Sequence, residues 1–274
     1  MPTPDLFIGV VSYPGTRYPE STGPSGLARQ LADELPGSVV VINGEDLWSP
    51  DSEPDSRDAR ASHRAELVAE WKWAQFLGYS RSPRFVIRLL ARWIRFLLTP
   101  MRSRSGRTVA RLMNIELSHL DLWRRALDSG ANYCLVLEDD AHCADISDLA
   151  SGLRHWIADH FQPAFVNLSA SFVVDSLQAT ALLEQSNEVA WNGSVDREVL
   201  RAKKPITNTV CAVLYHREFL QTFVNAWMQV PESPVAPIDW KMNMVLRDLY
   251  ASGVFSGTDA WWVDPAPIEQ RSMS

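Results

Sequence analysis

Two kinds of hydrophobic pattern alternate along this chain: short unbroken apolar runs, and longer stretches with helical spacing. Leu6 to Val11 and Ser38 to Ile42 are β-branched runs bounded by turn residues, which suits buried strands of a central sheet. Between them, Leu27 to Leu35 repeats at helical intervals and Pro36-Gly37 ends it. The opening is therefore predicted to be β-α-β, the unit from which mostly parallel sheets are built. Thr108 to Ser129 follows later, with Leu112, Met113, Leu117, Leu120 and Leu127 at core spacing and Gly130 as a C-terminal stop. It leads into an apolar strand, Tyr133 to Leu137. Further strands are predicted at Ala164 to Leu168, Val210 to Tyr215 and Ala260 to Val263, separated by helices at Ile146 to His160, Arg217 to Met228 and Asp239 to Tyr250. The fold class is α/β, a mixed but mostly parallel sheet flanked by helices, without internal repeats.

One stretch departs from this scheme. The polar run Asp51 to Asp55 reads as a loop or disordered insertion, and Ala59 to Tyr79 as a helix. From Arg84 to Leu98, spacings of four, four and three place Arg84, Arg88, Arg92 and Arg95 on one helical stripe, while apolar residues cover the rest of the circumference. Internal arginines argue against a transmembrane span, since each costs ~2.5–3.5 kcal/mol at the centre of an inserted helix. The first reading is a helix lying in the plane of an anionic membrane surface, with Arg102, Arg104 and Arg107 extending the basic patch. The alternative is a core helix whose arginines pair with carboxylates or snorkel to the surface. Residues 81–107 are thus a basic amphipathic insertion within a single domain covering 1–274.

Composition narrows the function. A chain of 274 residues with 46% apolar content buries one substantial core. A net charge of −7 and a pI near 5.4 argue against a general nucleic-acid binder. Met1-Pro2-Thr3-Pro4-Asp5 has no basic region of a secretory signal, so the expected location is cytoplasmic, peripheral on the inner face of the plasma membrane if the arginine stripe binds lipid. Cys134, Cys143 and Cys211 are too few and too irregularly spaced for a disulfide framework or a zinc site, and are expected to pack as small hydrophobes. Pro14 to Gly26 is a Gly/Pro/Ser-rich loop, either a simple connection or a place where a phosphate-bearing ligand approaches the backbone.

The candidate chemistry begins with Glu138-Asp139-Asp140 at the end of the Tyr133 strand. Adjacent anions repel unless they are solvated or share a cation, and the C-terminal edge of a strand is where open α/β sheets hold ligands. A divalent ion there would neutralise charge developing on a departing diphosphate. A bare acidic triplet is otherwise a solvated turn. Glu116 shares a helical stripe with Leu112, Leu120 and Trp123, so its carboxylate faces inward and requires a partner, either a donor site or a salt bridge to a core-edge arginine.

Asn114 to Trp123, then Ala126 to Gly130, then Leu135-Val136-Leu137-Glu138-Asp139-Asp140-Ala141 closely resemble glycosyltransferase family 25, which includes bacterial lipooligosaccharide sugar transferases and collagen galactosyltransferases. The likeness continues more weakly through Phe165-Val166-Asn167-Leu168, Tyr215 and Pro237-Ile238-Asp239-Trp240. It covers roughly Thr108 to Trp240, and leaves out the N-terminal hundred residues and the arginine-rich helix. Leu117 and Ser118 stand where family members usually have Gly and then Cys or Ala.

The resemblance implies an A-type, Rossmann-like glycosyltransferase fold and an inverting transfer from a nucleotide-diphosphate sugar, usually a uridine diphosphate sugar, to a hydroxyl of a glycan or glycolipid acceptor. It assigns Asp140 as ligand of Mn²⁺ or Mg²⁺, with Glu138, Asp139, Glu116 and His119 on the donor. Inversion requires a base, for which Asp239 is the first choice; its other role would be to cap a helix beginning near Trp240. His119 and His216 are runners-up for polar contacts, and Glu116, Asp264 and Glu269 are substitutes for the base. The alternative function is a catalytically inactive, membrane-associated scaffold that binds nucleotide sugars. A metal-dependent nucleotidyl or phosphoryl transferase would want a phosphate-gripping glycine and lysine loop, which the sequence lacks.

Overall fold

The computed structural model describes residues 5–12, 17–23, 25–44, 64, 67–68, 70–76, 78, 80–98, 106–169, 183–205, 207, 210–229, 238–255 and 259–271. The opening unit is β1 (Leu6–Val11), α1 (Leu27–Glu34) and β2 (Val39–Asn43). Two helices follow, α2 over residues 70–76 and α3 (Pro83–Leu98), and then the long α4 (Gly106–Ser129). The rest runs β3 (Tyr133–Glu138), β4 (Ala141–His142), α5 (Ile146–Ala158), β5 (Phe165–Asn167), β6 (Leu183–Gln185), β7 (Glu198–Ala202), β8 (Ala212–His216), α6 (Arg217–Gln229), α7 (Ile238–Ala251), β9 (Ala260–Asp264) and β10 (Glu269–Gln270).

The strands form an eight-stranded sheet in the order β2-β1-β3-β8-β5-β9-β7-β6. The pairs β1–β2, β1–β3 and β5–β9 are parallel, while β8 and β7 run against their neighbours. Six of the eight strands therefore point the same way, as the β-α-β reading requires. The β6–β7 pair, short, half-polar and at the sheet edge, and the two-residue strands β4 and β10, which pair with each other, carry no apolar run that would foretell them.

The apolar runs lack polar alternation because both sides of the sheet are covered. Along β3, Cys134 and Val136 enter the core shared with α4, α6 and α7, whereas Tyr133, Leu135 and Leu137 enter the core shared with α1 and α5. Trp123 anchors the first core, edge-on to Tyr215, Phe223 and Trp227 at centroid distances of 6.1, 5.3 and 5.2 Å. α4 is rotated relative to the predicted stripe. Its buried side is Ser118, His119, Leu122, Trp123 and Ala126, and of the five expected core residues only Leu120 is buried. Gly9 lets the helix approach, because a Cβ there would lie 3.1 Å from Leu122. The same rotation turns His119 inward.

A buried ion pair fastens the chain between β6 and β7 onto α5. Asp148 accepts hydrogen bonds from the Val195 N–H (2.9 Å), Arg197 Nε (2.9 Å) and Trp191 Nε1 (3.3 Å). Burial alone would raise its carboxyl, but the Val195, Arg197 and Trp191 donors outweigh burial and hold it below the usual carboxylate range.

α2 and α3 build a small separate core of Leu67, Ala74, Phe85 and Leu89, with Trp93 against it. Buried Glu70 takes Arg88 Nη2 at 3.0 Å and also holds Arg92. Among the described residues, two of the four stripe arginines thus have a carboxylate partner, as the core-helix alternative expects, while Arg84, Arg88 and Arg95 are exposed. Lys204 ties α2 to the main body, donating to the Phe76 carbonyl and lying 5.0 Å over its ring. Among the described residues no helix is long and apolar enough to cross a membrane. Asp51 to Asp55, Arg102 and Arg104 lie outside the described residues.

Asp148→Asn should leave the Arg197 charge buried and uncompensated, lowering stability at pH 7 by about 3 kcal/mol in denaturant unfolding. Because the native carboxyl titrates below its unfolded value, the contribution is present above pH ~4 and lost as pH falls. The gap between parent and variant should therefore narrow toward pH 3.

Candidate functional site

β3 carries its apolar run to the C-terminal edge of the sheet and stops at Glu138, after which Asp139 and Asp140 form a turn into β4. Antiparallel β8 begins at the same edge, so Cys211 lies beside the triplet and its carbonyl accepts the Glu138 N–H at 2.8 Å. The end of β5 arrives next to it, where Ser169 Oγ accepts the Ala212 N–H at 3.1 Å. β10 then closes over the turn, with Glu269 opposite His142, Gln270 opposite Ala141, and the Arg271 N–H donating to the Asp140 carbonyl at 3.0 Å.

These crossings bring unlike groups together. Gln270 Nε2 donates to Asp140 Oδ2 at 3.1 Å and reaches Glu138 Oε2 at 3.5 Å. Arg271 pairs with Glu20 at 2.5 Å and lies 5.8 Å over the Tyr18 ring. That contact brings residues 18–20, within the Gly/Pro/Ser-rich loop, to the site's edge. His119 is buried, with Nε2 3.8 Å from Glu138 Oε1. Neither of its ring nitrogens has a hydrogen-bond partner among the described residues. A buried imidazole in that state is costly unless something else occupies its nitrogens.

Glu138, Asp140 and Cys211 place ligand atoms within 4.8 Å of one another. Burial first, and then the Glu138 and Asp140 charges, push the Cys211 thiol well above its ordinary range. The carboxylate oxygens of Glu138 and Asp140 are donors for hard cations such as Mg²⁺ or Mn²⁺, whereas the Cys211 sulfur suits softer ones. Asp139 is half-buried in the turn between them.

Asp239 belongs to the first turn of α7, which begins at Ile238, so it does not cap a helix starting near Trp240. Its carboxylate accepts the N–H groups of Asp239 and Trp240, free donors at that helix end. Its pKa is raised to about 6, by burial first and then by the charge of Glu138, with the N–H groups opposing. Pro231 to Pro237 lie outside the described residues. Glu116 forms an ion pair with Lys241, two residues beyond Asp239, and Lys241 Nζ also lies 4.7 Å over the Trp227 ring. The salt-bridge reading of Glu116 thus describes its contacts, with a lysine from α7 in place of an arginine, and the pair ties α4 to the helix that carries Asp239.

His216 does not join the site. Because β8 runs against β3, its last residue lies opposite Tyr133, at the far edge of the sheet, where burial lowers the imidazole pKa. A cleft of about 940 Å³ opens at that far edge, lined by Asp5, Tyr133, Arg154, His160, His216 and Arg217 among others. It mixes acids and bases around strand starts, whereas the clustered carboxylates, the unpartnered imidazole and the shifted Asp239 all belong to the opposite edge. The substitute bases Asp264 and Glu269 are exposed.

Sequence reasoning missed Cys211, Gln270, Arg271 and Lys241. Each reaches the site through tertiary crossings that no local pattern encodes. No protein-family model matches the chain, and no curated protein matches it.

The elevated Asp239 pKa makes a sign-specific prediction. The native state holds this proton more tightly than the unfolded chain, so its stabilising effect is full below pH ~4 and is lost as pH rises through about 6. Asp239→Asn, which cannot ionise, should be more stable than the parent by on the order of 3 kcal/mol above pH 7, converging toward pH 4. A stability difference independent of pH would show that Asp239 is not strained by its charge.

Proposed function

We propose that this protein is an inverting, metal-assisted glycosyltransferase that moves a sugar from a nucleotide-diphosphate donor, a uridine diphosphate sugar in the first instance, to a hydroxyl of a glycan or glycolipid. The observation that carries the reading is the convergence of Glu138, Asp140, His119 and Asp239 at the C-terminal edge of a helix-covered sheet, the usual ligand crevice of open α/β folds. The family 25 likeness of Asn114 to Ala141 supports it, because both halves of that likeness, His119 and the acidic triplet, meet in space. On this reading the sheet and its helices form an A-type glycosyltransferase fold.

Glu138 and Asp140 would hold a divalent ion, which supplies Lewis-acid neutralisation of the departing diphosphate. Asp139 would address the donor ribose or the metal's waters. His119 would offer a ring nitrogen to the donor and thereby lose its unpartnered state. Asp239 is the proposed base: ionised at pH 7, it retains more proton affinity than an ordinary aspartate. The acceptor oxygen would bond to the anomeric carbon as that carbon's bond to the phosphate oxygen breaks. The hydroxyl proton passes to Asp239, and the nucleoside diphosphate leaves with the electron pair.

Incubation with a panel of nucleotide sugars and Mn²⁺, reading released nucleoside diphosphate, tests this directly. Activity should disappear with chelator, and Asp140→Asn should abolish the Mn²⁺-dependent part of donor binding in calorimetry. Asp239→Asn should spare donor affinity while turnover falls ~10²–10⁴-fold, and the parent's kcat/KM should decline below about pH 6. Tight nucleotide binding with no turnover for any donor would identify a binding scaffold instead. Equal nucleotide affinity with and without chelator would remove the metal from the scheme.

A further inference from the structure

α3 has three sides, not two. Phe85, Leu89 and Trp93 face α2 and close the small core there. Val86, Ile87, Leu90, Ile94, Leu97 and Leu98 point away from that core and are 41–77% exposed. At 100° per residue, these six fall within an arc of about 120°, a second apolar face as wide as the one by which a surface helix normally docks. Arg84, Arg95 and Arg88 occupy the next sector of the circumference, and Arg92 lies where that sector meets the buried side. The helix itself carries no acid, in a chain whose net charge is −7.

Scattered exposed leucines need no explanation, but a continuous apolar arc on one helix does. The cationic edge specifies what covers it. A hydrophobic partner surface alone would gain nothing from arginines lined up along one rim. An anionic lipid surface satisfies both sectors at once: the apolar arc enters the acyl boundary while the guanidiniums stay at headgroup level. Glu70 contributes to this arrangement. By gripping Arg88 and Arg92 from below, it fixes the angle at which α3 presents its faces. Arg88 is still 63% exposed at its side chain despite that contact.

We propose that the outer face of α3 is a docking surface for an anionic lipid bilayer, with Val86, Ile87, Leu90, Ile94, Leu97 and Leu98 inserted and Arg84, Arg95 and Arg88 on the headgroups. The proposal is independent of the chemistry at Asp140 and Asp239.

Sedimentation of the full chain with vesicles tests it. The protein should pellet with mixed phosphatidylglycerol–phosphatidylcholine vesicles, more weakly with phosphatidylcholine alone, and less as salt rises. Each basic residue near such a surface contributes roughly fivefold in partitioning, so R84E combined with R95E should reduce binding to the anionic vesicles more than tenfold. I87E combined with L90E should reduce it on every vesicle type. All four positions are exposed, so the melting temperature should be unchanged in both variants. Failure of the parent to pellet with anionic vesicles overturns the proposal, as does pelleting that neither variant alters. A solution dimer that I87E/L90E dissolves, with no vesicle binding by the parent, assigns the face to a second copy and equally overturns it.

Discussion

A sheet covered by helices on both faces has nowhere inside it to keep a carboxylate. Along β1, β3 and β8 the side chains that alternate between faces are nearly all apolar, and each face closes into its own core. Removing an unpaired charge from water costs several kcal/mol, so every ionisable group this chain places near the sheet must sit at a strand end or carry a partner. The distribution of function follows from that constraint. The triplet lies where β3 runs out of covered sheet, and Asp148, the carboxylate buried deepest beneath α5, is wrapped by three donors.

The edge site handles its crowding differently. Glu138, Asp140 and Asp239 bring like charges close together, and the donors that meet them include the Gln270 amide, the Cys211 thiol and the backbone N–H groups at Asp239. Lys241, two residues beyond Asp239, is committed to Glu116. Asp239 registers its surroundings in a raised proton affinity, owed first to burial and then to the charge of Glu138. On the proposed reading, a cation at Glu138 and Asp140 would come first and an anionic donor only after it.

Much of this was legible in the chain, and what was not has a common cause. The strands β1, β3, β5, β8 and β9 and the helices between them follow from unbroken apolar runs and helical spacing, since local burial alone sets those patterns. The triplet, which alone reads as a solvated turn, stood out because it ends an apolar strand within the stretch that resembles family 25. Its partners were hidden. Cys211 looks like core filling until β8 is known to start beside Glu138, and Gln270 is an ordinary glutamine until β10 crosses the turn. The rotation of α4 was misjudged because its leucines look like the core-facing stripe, whereas Gly9 on β1 lets Leu122 and Trp123 take the closest approach. The arginine stripe was read from spacing correctly as a geometric object, but spacing does not reveal that Glu70 on the preceding helix holds two of its members.

The crossing of β10 has a consequence in time. Gln270 lies 130 residues downstream of Asp140, so on the ribosome the triplet emerges long before the amide that meets it. Chain growth of ~5–20 residues per second makes that interval several seconds or more, far longer than the ~1–10 μs in which a local hairpin forms. During it the parallel core β2-β1-β3 can assemble while its acidic edge is still open to solvent. The β4–β10 pair that closes over the triplet is therefore completed late, and a nascent chain has a scaffold before this edge is covered.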